Sequence, residues 1–132
     1  MISGARYVHT NLIARDWQAL ARFYQAHFGC VPVLPERNYA GRDLEVGTGV
    51  PGASLCGVHL RLPGVDAKGP TLEIFTYSRL ADGAAPAANR PGFAHIAFEV
   101  TSVRAQPATK SSAQAAKRLA MLSRSKPRQA PE

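Results

Sequence analysis

The sequence predicts an α+β fold in which a complete βαβββ unit is followed by the first strand of a second one. Three observations carry that prediction. Apolar residues recur with period two, then at helical spacing, then with period two again through several further segments. Clusters of Gly, Pro and Asp separate these segments where strands must end. "YVHTNLIA", from Tyr7, is echoed by "FAHIAFEV", from Phe93, with an aromatic residue two places before a histidine in each, which hints at an internal repeat.

Each element has its own justification. "RYVHTNLIA" places Tyr7, His9, Asn11 and Ile13 on one side and Val8, Thr10 and Leu12 on the other, the alternation of a strand. Asp16 caps a helix, "WQALARFYQAHF", whose apolar stripe is Trp17, Leu20, Ala21, Tyr24 and Phe28, and Gly29 stops it. "CVPVL" is a short second strand in which Pro32 and Pro35 argue for a sheet edge or an early end. From Glu36 to Gly52 the chain reads as a loop with a turn of helix around Arg42–Val46. "SLCGVHLRL" and "TLEIFTY" are two more strands, separated by the turn-rich "PGVDAKGP". Residues 78–91 form an Ala/Pro/Gly connector, and "FAHIAFEV" is a fifth strand.

A chain of 132 residues supports one hydrophobic core. No apolar run is long enough to span a bilayer, and "MISGARYVHTNLIAR" lacks the apolar segment of a signal peptide, which places the protein in the cytoplasm. In that compartment Cys30 and Cys56, which show no CxxC spacing, are reduced thiols. The net charge of +7 suggests an acidic partner until its distribution is considered. Residues 1–100 hold nine Lys/Arg against eight Asp/Glu, whereas residues 101–132 hold seven against one. The basicity belongs to a low-complexity tail, disordered or partly helical, with no aromatic or groove-reading motif. Neither nucleic acid nor a membrane is therefore expected as a partner.

Three strand residues carry the chemistry: His9, Glu73 and His95. Two imidazoles and a carboxylate suit a borderline divalent ion, Zn, Ni, Fe, Co or Mn, and leave coordination positions open for water or substrate. Each residue also has a plain structural reading, as a hydrogen-bonded histidine or a solvent-facing glutamate. His59, in "GVHLRL", looks the same as His95, and periodicity alone does not separate the two.

"VHTNLIARDWQALARFYQAHFGC", "GPTLEIFTY" and "RPGFAHIAFEV" together resemble the vicinal oxygen chelate superfamily, which includes glyoxalase I, bleomycin- and fosfomycin-resistance proteins and extradiol dioxygenases. The resemblance covers residues 6–100. It implies paired, glyoxalase-like βαβββ modules around one divalent metal ion, here with the first module complete and the second reduced to its first strand and the tail. It also implies His9, Glu73 and His95 as metal ligands, with Glu73 as the catalytic base. His59 matches no ligand position of the family, and the family's fourth ligand has no counterpart. Asn11 and Arg42 are the residues expected to touch a small-molecule substrate. The implied activity is that of a lyase or isomerase on a small oxygenated metabolite. The alternatives are a metal-free binding protein of the bleomycin-resistance kind and a dioxygenase-like oxidoreductase.

After Val100 the pattern stops. With G or C at wobble positions, the codons for Lys110–Ser123 can be read in another frame as a glycine turn leading to an apolar strand, which resembles the missing second module. A shift of frame near residue 100 is the explanation this suggests. The chain as written would then lack strands of the second module, with impaired activity, and a homodimer would cover the exposed sheet edge.

Overall fold

The structure is a computed structural model and describes residues 3–83, 87, 89, 91–92 and 95–101. The chain divides into two units, 1–96 and 97–132, and of the second only residues 97–101 are described. The first is an α+β fold with a four-stranded mixed sheet and two helices.

The first strand, β1, is His9–Ile13, and the helix α1 follows at Trp17–Phe28. Local chemistry sets both ends of α1. Asp16 is extended, and its Oδ1 accepts the Ala19 N–H at 2.9 Å, satisfying a donor that the first turn cannot pair. Gly29 adopts the left-handed conformation (φ 68°, ψ 24°), its N–H donating to the Gln25 carbonyl, and the chain leaves the helix there. Of the predicted stripe, Trp17 and Ala21 are buried and Leu20, Tyr24 and Phe28 are half-buried.

The second strand, β2, is Val31–Ala40, twice the length that "CVPVL" suggested. Pro35 has no N–H to give the ladder, yet it only shifts the register between Val33 and Arg37, after which pairing resumes. The reason is position: among the described residues β2 is an edge strand, with one side free of a ladder. The expected loop from Glu36 therefore starts later, after Ala40. The expected turn of helix is α2, Arg42–Thr48, closed by Gly49 in the left-handed region (φ 69°).

Strands β3, Ser54–Arg61, and β4, Thr71–Tyr77, lie where the sequence predicts two strands, and they pair antiparallel. The strand order is β1-β4-β3-β2, with β1 parallel to β4 and the other neighbours antiparallel. Leu60, Leu72 and Ile74 are the largest fully buried side chains, each worth about 2–3 kcal/mol of burial. They share a face with Thr76, whose Oγ1 accepts the Trp17 N–H at 3.0 Å and ties the start of α1 to β4.

No fifth strand is seen among the described residues. His95–Val100 lie in no strand, and Phe93 and Ala94 fall outside the described residues. Strand periodicity is not sufficient without a ladder to join. The predicted tail lies outside the described residues beyond Thr101. No helix among the described residues is long and apolar enough to cross a membrane.

Candidate functional site

Alternation divides the strands between two faces. Leu72 and Ile74 of β4, with their partners Leu60 and Val58 of β3, face α1. The opposite parity makes an open face. On it stand His9, Asn11 and Ile13 from β1, Glu73 and Phe75 from β4, His59 and Arg61 from β3, and Arg37 and Tyr39 from β2.

Glu73 is the centre of this face. Parallel pairing sets Asn11 opposite it on one side, and antiparallel pairing sets His59 opposite it on the other. Its Oε1 lies 3.3 Å from Nδ1 of His9 and 3.3 Å from Nε2 of His59. The Glu73 side chain retains 12% of its exposure, whereas that of His9 retains 47%, so the carboxylate is sheltered and the first histidine open to solvent.

An aromatic floor adjoins the carboxylate. The Phe75 ring meets Tyr39 edge-on at 6.1 Å and His59 at 5.8 Å. Gly57, paired with Phe75 across the ladder, makes this possible: a Cβ there would sit 1.9 Å from the Ile74 carbonyl oxygen and 2.4 Å from Phe75 Cδ1. Burial pushes the His59 imidazole below its ordinary range. Glu73 pulls the other way, and Arg37 and His9 add to the lowering. His59 is thereby held largely neutral at neutral pH.

The predicted site residues divide accordingly. His9 and Glu73 come together, and Asn11 stands beside them in the register. His95 is exposed and belongs to no strand, and among the described residues the ion-pair partners of Glu73 are His9 and His59. Arg42 is exposed at the first position of α2. The residues that sequence reasoning passed over are His59 and Arg37. For His59 the sequence offered only its place in a strand; the register that sets it opposite Glu73 belongs to the folded sheet. Arg37 was hidden by Pro35, which read as the end of its strand.

A divalent ion can be weighed against these donors. Two ligands at about 2.0–2.2 Å in a tetrahedral site stand about 3.4 Å apart. The His9–Glu73 pair has that spacing. Among the described residues, however, no group of three His, Cys, Asp or Glu side chains is placed to hold a metal ion. The donor chemistry and spacing of the pair fit; a full protein cage is not assembled by these residues.

Compared with family models, curated proteins and solved structures, the chain matches none.

Proposed function

We propose that this chain is a metal-dependent catalyst of the vicinal oxygen chelate kind, acting as a lyase or isomerase on a small oxygenated metabolite. In this reading the four-stranded unit is the first of two glyoxalase-like βαβββ modules, the second being reduced. The observation that supports it is the 3.3 Å approach of His9 to Glu73, two residues singled out as ligands from strands 64 residues apart in the chain. His9 and Glu73 would hold the divalent ion, with His95 as the third ligand. The ion, when bound, supplies Lewis-acid polarisation of adjacent substrate oxygens.

The chain's own residues supply the rest. Glu73 takes a proton from the substrate carbon, its sheltered carboxylate being the only acidic group on the open face among the described residues. His59 flanks Oε1 and fixes where that carboxylate stands. Asn11 offers its amide N–H to a substrate oxygen beside Glu73. Phe75 and Tyr39 form the apolar wall.

A second reading is a metal-free binding protein of the bleomycin-resistance kind. It is favoured by the absence of a three-donor group among the described residues and by the engagement of Oε1 with two imidazoles.

Metal analysis of the purified full chain, followed by zinc titration of the apo protein, tests the proposal. The expected result is one bound ion per chain, with affinity falling at least about tenfold in each of His9→Ala, Glu73→Gln and His95→Ala. Metal-free protein whose His9→Ala variant retains ligand affinity would leave the binding protein as the surviving reading.

A further inference from the structure

The charges on the open face are unbalanced. Among the described residues, against the single carboxylate of Glu73 stand two guanidinium groups, Arg37 and Arg61, both half-buried. Neither is paired with a carboxylate among the described residues, where the ion pairs of Glu73 are with His9 and His59. Arg37 donates to the carbonyl of Pro35 on its own strand, which occupies one of five N–H donors.

Their placement follows from the ladders. Arg61 lies two residues beyond His59 on β3, and Arg37 pairs with Gly57, two residues before it. At about 3.4 Å per residue, each stands about 7 Å along the sheet from the His59–Glu73 row, one on either side. Gly57 contributes no side chain, so nothing of its own residue type stands between Arg37 and the floor formed by Phe75.

We infer that Arg37 and Arg61 bracket the site as an anion clamp, so that the ligand of this face is a small molecule carrying a carboxylate or a phosphate group. Guanidinium forks match both groups with paired N–H donors, and a half-buried cation without an anionic partner gains most from one. The anionic group is held by the arginines while the remainder of the ligand lies over Glu73 and the aromatic floor. The inference places its ligand at the face described under the proposed function, yet it does not depend on a metal.

The test uses the ¹⁵N-labelled full chain, stripped of metal by chelator, and reads amide shifts on titration with three probes: glycolate, its neutral isostere glycolamide, and inorganic phosphate. Glycolate is expected to bind at least about tenfold more tightly than glycolamide, the worth of one charge-assisted contact. Comparison of glycolate with phosphate decides which anionic group the clamp prefers. Arg37→Gln and Arg61→Gln should each reduce the preference over glycolamide and the double variant should abolish it, while Arg37→Lys, which keeps the charge, retains part. Equal affinity for glycolate and glycolamide, with phosphate not binding, overturns the inference; so does a double variant that is folded by circular dichroism and keeps the full preference. A failed zinc titration with the anion preference intact would remove the metal reading and leave the clamp standing.

Discussion

His59 reaches Glu73 across the β3–β4 ladder, its Nε2 3.3 Å from Oε1, in a directly opposed cross-strand pair. The imidazole is sheltered by the same packing that brings it there, against Phe75 on one side and the carboxylate on the other. Its proton affinity in the folded protein is accordingly below that of the unfolded chain, whose reference value is 6.5.

That difference predicts the direction of a pH effect. The unfolded chain binds a proton at His59 more readily than the folded one, so the stability held by the neutral ring is present above about pH 6.5 and is lost as pH falls through the lowered folded value. The melting temperature of the metal-free protein should fall between pH 7.5 and pH 5, and His59→Gln should flatten that fall. Parallel curves for the two proteins would contradict burial as the cause.

Gly57 is predicted to be the least substitutable position of the open face. In Gly57→Ala the new methyl group meets backbone oxygen at 1.9 Å, and a backbone cannot rotate out of the way as a side chain can. The ladder must open locally, at a cost of about 3 kcal/mol, typical of forced overpacking. Urea denaturation measures it, and a loss under about 1 kcal/mol would mean that Phe75 does not lie against β3 as described.

The two thiols should react differently. Cys30 is 3% exposed and burial raises its pKa, which lowers the thiolate population on which alkylation and disulfide exchange depend. Cys56 is exposed. A thiol-titrating disulfide reagent should label one site per folded chain, lost in Cys56→Ser and kept in Cys30→Ser, with the second thiol appearing only in denaturant. Equal labelling of both in the folded chain would show that Cys30 is not covered.

Much of this architecture was legible from local pattern. Asp16 and Gly29 bound α1 because capping is chemistry between residues a few positions apart. The parity within β1, which groups His9 with Asn11, and that within β4, which groups Glu73 with Phe75, follow from alternation once the strands are recognised. These features need only near neighbours, and the sequence alone determined them.

Tertiary structure decided which strand lies beside which, and in what register. The nine residues between β3 and β4 are too many for the turn type to dictate pairing, so the match of His59 with Glu73 is set by the packing of Leu60, Leu72 and Ile74 against α1. β2 runs through Pro35 because it lies at an edge, a property of the sheet and not of the residue, and that continuation delivers Arg37 to the open face. His95 shows the converse. Its segment alternates as a strand should, yet among the described residues His95 lies in no strand, because a strand's backbone donors and acceptors are satisfied by a neighbour and periodicity does not supply one.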